Sequence, residues 1–189
     1  MKINNLSKSF GKKNVFKDLS LNIQDNKITY IMGESGCGKT TFLRILAGLD
    51  DKYDGTVDTL SGKISYVFQE PRLFPNLSVS KNISIIANQE KLSIDDVLNI
   101  VELENEALNS PSSLSGGMKM RLSLARALYH NGDLYLMDEP FSALDQDMKN
   151  RIIPKVLNAL KGKTVIIVSH DETEASKYAD SIIRFNTLN

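Results

Sequence analysis

The chain has 189 residues, with 23 lysines and arginines against 23 aspartates and glutamates, so its formal net charge is 0. That balance supplies no bulk positive field to hold nucleic acid or an anionic membrane surface. Apolar residues make up 41% and charged residues 24%, which suits one globular domain with a real core; the single cysteine excludes an internal disulfide and argues against structural zinc.

In chain order, Met1 to Phe10 alternates polar and apolar residues without a contiguous apolar core, so no secretory signal is read there. Ile28 to Met32 is an apolar, partly β-branched run that reads as a buried strand. From Thr40, residues Phe42, Leu43, Ile45, Leu46 and Leu49 form a helical stripe that ends near Gly48. Ile64 to Phe68 reads as a second strand. The stretch from about Pro71 to Tyr129 lacks a convincing central strand and reads as helices around Val79–Ala87, Ile94–Leu103 and Ser115–Tyr129. In the last of these, Met118, Leu122, Ala125 and Tyr129 share one face. Leu134 to Met137 and Val165 to Val168 are further strands, with a helix over Ile152, Ile153, Val156, Leu157 and Leu160 between them. Pro154 must sit in that helix's first turn or kink it. Strands alternating with helices predict an α/β fold with a mainly parallel sheet, into which about 71–130 is inserted as a helical subdomain of a single domain. The apolar runs fall short of the roughly 20 residues that a membrane span needs.

Gly33-Glu34-Ser35-Gly36-Cys37-Gly38-Lys39-Thr40 fits the P-loop pattern, with a strand before it and a helix after it. Glycines let the backbone turn its N–H groups inward around phosphate oxygens, and the helix N-terminus adds positive partial charge. Lys39 supplies a point charge for the β- and γ-phosphates, and the Thr40 hydroxyl is placed to ligate Mg²⁺. Cys37 is better read as a small loop residue than as a nucleophile, since no histidine or second cysteine is near it.

Leu134 to Glu139 is an apolar strand ending in two carboxylates. A parallel sheet would deliver them beside the phosphate loop, with Asp138 as the metal-side acid and Glu139 facing the γ-phosphate to orient or deprotonate water. Ser115 is a good N-cap for the helix that follows it. Gly116 and Gly117 then cost helix stability, about 1 kcal/mol each against alanine. Bare backbone that approaches an anionic oxygen is one reason to accept that cost; a flexible hinge is the other reading.

Together the motifs GESGCGKTT, YVFQEPRLFP, LSGGM, LYLMDEP, SALD and IIVSHDE occur in the order found in the nucleotide-binding subunit of ATP-binding cassette (ABC) transporters. The chain resembles that family over nearly its whole length. VFQEPRLFP is similar to the nitrate, sulfonate and taurine importer branch.

The resemblance implies a P-loop core with a small N-terminal antiparallel β part, ATP and Mg²⁺ as ligands, and ATP hydrolysis coupled to transport. It implies that Phe10 stacks on adenine, that Gly33 to Thr41 hold the phosphates, and that Gln69 senses Mg²⁺ and γ-phosphate. It makes Thr40, Gln69 and Asp138 the metal-side residues, Glu139 the catalytic glutamate and His170 the switch histidine, with Lys39 alongside. Asp145 would couple two sites across a head-to-tail dimer, in which Ser115, Gly116 and Gly117 of one copy close on ATP held by the other. The implied partners are a second copy or a homologous ATPase subunit, transmembrane permease subunits on separate chains and an extracytoplasmic solute-binding protein, without nucleic acid. The implied location is the cytoplasmic face of the cell membrane, held through the permease.

Two departures stand out. Met118 occupies the place where the signature usually has glutamine, and a thioether cannot supply the amide's hydrogen bonds. The segment between Gln69 and Ser115 is short, and the 19 residues after His170 leave no room for a C-terminal regulatory domain. Soluble relatives that act in translation or DNA repair usually carry two cassettes or a long coiled-coil insertion, and neither fits here. Retention of Lys39, Asp138, Glu139 and His170 argues against a regulatory module with a dead site.

Overall fold

The computed structural model describes residues 1–58, 62–86 and 92–186. Its centre is a five-stranded sheet built from β3 (Ile28–Gly33), β5 (Ile64–Val67), β6 (Leu134–Asp138), β7 (Thr164–Val168) and β8 (Ser181–Phe185). The spatial order is β5-β6-β7-β3-β8 and every neighbouring pair is parallel. β6 and β7 are buried along their whole length, which is why they read as continuous apolar runs rather than as alternation.

The strand period of two still sorts these residues onto two faces. Tyr30, Met32, Tyr135, Met137, Val165 and Ile167 join one core, and Ile31, Leu134, Leu136, Ile166 and Val168 join the other. The first core is covered by α2 (Val79–Ser84), α3 (Ile94–Ile100), α4 (Gly116–His130) and α5 (Gln146–Ala159), with Ala175 of α6 (Glu172–Tyr178) at its margin. The second is covered by Phe42, Leu43, Ile45 and Leu46 of α1 (Lys39–Leu46). An antiparallel sheet of β1 (Lys2–Phe10), β2 (Lys13–Asn22) and β4 (Asp54–Asp58), in the order β2-β1-β4, adds Ile3, Leu6 and Phe16 to it. Phe16, Phe42 and Phe185 meet edge to face, joining β2, α1 and β8.

The expected α/β class and mainly parallel sheet are therefore present, as is the N-terminal antiparallel part. The expected helices lie within 71–130, although Ala87, the end of the Val79–Ala87 stretch, falls outside the described residues. Helix α5 begins well before Ile152: Asp145 caps it by accepting from Met148 N at 2.8 Å. Pro154 consequently lies inside the helix, past its first turn. It gives no N–H to the carbonyl of Asn150, a residue that is exposed. Among the described residues no helix is long and apolar enough to cross a membrane.

The parallel order places the segments after β3, β5, β6 and β7 at one edge of the sheet, where ligands bind in such folds. Val168 is in register with Asp138 on one side and with Ile31 on the other. The phosphate loop, the carboxylate pair and the segment carrying His170 thus leave the sheet side by side.

Candidate functional site

The loop from Gly33 to Gly38 turns directly into α1. Gly33, Gly36 and Gly38 all have positive φ, and at Gly38 the angle is +104°. Cys37 is 3% exposed and packs in the core beside Gly33, so its side chain anchors the loop from beneath. The Lys39 ammonium donates to the carbonyls of Gly33 at 2.6 Å and Glu34 at 2.8 Å. It therefore stands across the loop's mouth, where an anion would meet it.

A cleft of about 310 Å³ opens above this loop. It is lined by Ser35, Gly36, Gly38, Lys39, Thr40 and Thr41, by Gln69, Asp138 and Glu139, and by Phe10, Lys13 and Val15. A hollow of about 260 Å³ shares Ser35, Lys39, Gln69 and Glu139 with it and reaches Gly33, Ser142 and His170. Phe10 ends β1 at the rim with 56% of its surface exposed, a flat apolar face available for stacking. Lys8 stands 4.8 Å from the centre of that ring and is itself held by Asp50 at 2.7 Å.

Asp138 and Glu139 have different surroundings. Asp138 is 2% exposed, and burial pushes its carboxyl above the ordinary aspartate range; the Thr40 hydroxyl and Lys39 oppose this, and Glu139 adds to it. Its Oδ1 is buried without a hydrogen-bond partner. A buried acceptor with an unused oxygen beside a threonine hydroxyl is the donor set a small hard cation takes, so Asp138 and Thr40 fit Mg²⁺. Glu139 is half-buried and points outward from a left-handed backbone at φ +51°, unusual for a non-glycine residue. That conformation is held by Glu139 N donating to Val168 O at 3.0 Å and by Ser142 N and Oγ donating to Glu139 O. His170, 71% exposed, places Nδ1 2.9 Å from Glu139 Oε2.

The structure thus brings together Phe10, the loop, Gln69, Asp138, Glu139 and His170. Ser115, Gly116, Gly117 and Asp145 do not line either hollow. Ser115 caps α4, accepting from Met118 N at 3.2 Å, and Asp145 caps α5. The two glycines are unlike each other. A Cβ on Gly116 would meet nothing within 4 Å, whereas one on Gly117 would lie 3.0 Å from Ala143 O. Gly117 therefore lets α4 approach the SALD segment, a packing reason besides the phosphate reason expected of the pair. Met118 packs half-buried against the helical core. Lys13, Val15 and Ser142 were not read as site residues. Lys13 faces Phe10 across the β1–β2 hairpin, a placement only the strand register reveals.

A glycine loop joining strand to helix, beside a strand that ends in paired carboxylates, defines a P-loop nucleotide-binding protein. Within that class the chain belongs to the ABC transporter family, whose model matches residues 16–142. It is 37% identical to the Fe(3+) ions import ATP-binding protein FbpC 2 of Haemophilus influenzae over 95% of this chain. It is 37% identical to the aliphatic sulfonates import ATP-binding protein SsuB 1 of Pseudomonas savastanoi over 93% of this chain. The chain spans 57% of the length of the first relative and 76% of the second. Among solved structures it resembles the dimeric ATP-binding cassette MJ0796 in a post-hydrolysis state bound to ADP and Pi. There the TM-score is 0.83 and the identity 30%, covering 100% of this chain and 96% of that one.

Proposed function

We propose that this chain is the ATP-hydrolysing subunit of a membrane importer. Residues 1–70 and 131–189 would form its α/β core and about 71–130 its helical subdomain. The observation that carries the reading is the convergence, at one sheet edge, of Lys39, the buried Asp138 and the Glu139–His170 pair at 2.9 Å. Import is supported by relatives whose names include iron, sulfonate and spermidine/putrescine import. Permease subunits, and with them a peripheral place at the membrane, follow from that reading, as does a solute-binding protein on the other side.

In this reading Phe10 stacks on adenine and the loop amides with Lys39 hold the triphosphate. Thr40, Asp138 and Gln69 would hold Mg²⁺, which when bound would neutralise charge on the phosphates. Glu139 positions the attacking water. His170 Nδ1 lies 2.9 Å from Glu139 Oε2, and against an ionised carboxylate, which only accepts, the ring nitrogen is the donor. A γ-phosphate oxygen competes for this ring, and the ring's departure frees Glu139 to accept a proton from water. Ser115, Gly116 and Gly117 of a second copy close the pocket from the other side, and Asp145 relays that contact.

The test is ATP-dependent phosphate release by the purified chain, alone and with its permease subunits. Wild type is expected to turn over. Glu139→Gln is expected to lower turnover about a thousandfold while retaining ATP binding. Near-normal hydrolysis by that variant would remove Glu139 from the reaction.

A further inference from the structure

We infer that Lys149 is a positioning residue for hydrolysis: its ion pair with Asp171 ties the helix that starts at Asp145 to the segment that carries His170. The inference rests on the reading of the cleft as an ATP-hydrolysing site.

Lys149 lies one turn into α5. Its backbone N donates to Asp145 O at 2.9 Å, closing the turn whose cap is the Asp145 side chain. Its Nζ lies 2.8 Å from Asp171 Oδ2 and 3.6 Å from Glu174 Oε2. Asp171 immediately follows His170 and is held from three directions. One oxygen takes Lys149, the other accepts from Glu174 N at 3.0 Å to cap α6, and its own N donates to Ser169 Oγ at 3.1 Å. Ser169 N in turn donates to Ile31 O at 3.3 Å, on the strand that leads into the phosphate loop. The backbone on both sides of His170 is therefore fixed, leaving the exposed ring to move between Glu139 and a phosphate.

This is not an ordinary surface pair. The Lys149 side chain is 15% exposed and that of Glu174 only 4%. Burial works against the Lys149 ammonium, yet Asp171 and Glu174 outweigh it and hold its pKa above the ordinary value, while Lys149 holds the Asp171 carboxyl below its own. For stability alone an apolar side chain would serve such a place as well or better. What an ion pair adds is a fixed direction and distance. Here they are set between Lys149, on the helix that Asp145 caps, and Asp171, the residue after His170. Lys149 lines neither hollow of the cleft, so an effect of its side chain on turnover is indirect, and Asp171 is its nearest link to His170.

The experiment compares wild type with Lys149→Met, Lys149→Arg, Asp171→Asn and the double variant K149M/D171N, each with its permease subunits present. The readouts are steady-state phosphate release, equilibrium ATP affinity and thermal midpoint. Lys149→Met is expected to lower kcat about tenfold or more, with ATP affinity within about twofold of wild type. Lys149→Arg is expected to restore most of the rate. Asp171→Asn keeps the cap on α6, loses the ion pair, and is expected to match Lys149→Met, with the double variant no worse than either single one. It carries the test should Lys149→Met fold poorly. The inference is overturned if kcat stays within about twofold of wild type in both single variants. It is equally overturned if the loss follows the folded fraction or the ATP affinity, or if the two losses multiply in the double variant. An absence of turnover in wild type would instead remove the proposed function itself.

Discussion

Gly38 sits at φ +104° directly before α1, and a Cβ there would meet Val15 Cγ1 at 2.4 Å and the Phe16 ring at 2.8 Å. Backbone strain and overpacking act together, so Gly38→Ala is expected to destabilise the fold by about 3 kcal/mol in denaturant titration. Gly36, also at positive φ, has open space around it, so alanine there meets strain alone. Lys8 gives a residue-level test of electrostatics. The residue is 5% exposed, and its ammonium reaches Asp50 at 2.7 Å and Lys52 O at 2.6 Å beside Phe10. The Lys8 hydrogen bond holds the Asp50 carboxyl below the ordinary range. A depressed carboxyl stabilises the fold fully above its unfolded pKa of about 3.9, and that contribution is lost as pH falls through the folded value. Lys8→Met should therefore lower the thermal midpoint at neutral pH, with the gap to wild type narrowing below about pH 4. A gap that stays constant down to pH 3 would show that the loss comes from packing rather than from charge.

At the scale of elements, the start of α4 separates two roles that adjacent glycines share. Gly116→Ala meets nothing and removes unfolded-chain freedom, so it is expected to stabilise the fold by about 0.5 kcal/mol. Gly117→Ala presses on the Ala143 carbonyl and is expected to cost about 1 kcal/mol. If α4 closes on a phosphate held by another copy, both should lower ATP turnover. A stabilised Gly116→Ala with full activity would leave the signature with a packing role only.

The elements that carry chemistry were legible in the sequence because they are buried on both faces. β3, β6 and β7 are continuous apolar runs, and the motifs hang from their ends. The alternation over Met1 to Phe10 was read only as excluding a secretory signal, and β2 was not read as a strand; both strands are irregular, with register shifts near Leu6 and Lys8 and positive φ at Asn5 and Asp18. β8 pairs with β3 alone and has only Phe185 fully buried, so its five residues read as nothing in particular. Lys149 was hidden for another reason: a lone lysine near a helix start looks solvated until the fold places Asp171 and Glu174 against it.

For the whole molecule, the decisive fact is geometric. The residues of one chain that resemble the two halves of an ATP site do not line one hollow: the cleft is lined by the loop, Gln69 and the carboxylates, and Ser115, Gly116 and Gly117 are not among its lining residues. Gly116 is exposed with open space beside it, as a surface awaiting a partner would be. Closure by a second copy, as proposed, would satisfy both halves at once and, through a two-fold axis, would produce two equal sites. Because nucleotide would then form part of the interface, association should depend on ATP and on its survival. The Glu139→Gln chain with ATP and Mg²⁺ is expected to shift from monomer to dimer in light scattering, and the same chain with ADP is expected to remain monomeric. Adding Gly116→Arg, which places a bulky cation at the exposed start of α4, should block the shift while leaving the monomer's own affinity for ATP unchanged. Dimerisation that ignores the nucleotide, or that survives the arginine, would mean that the copies meet through a different face and that the cleft is completed by something other than α4.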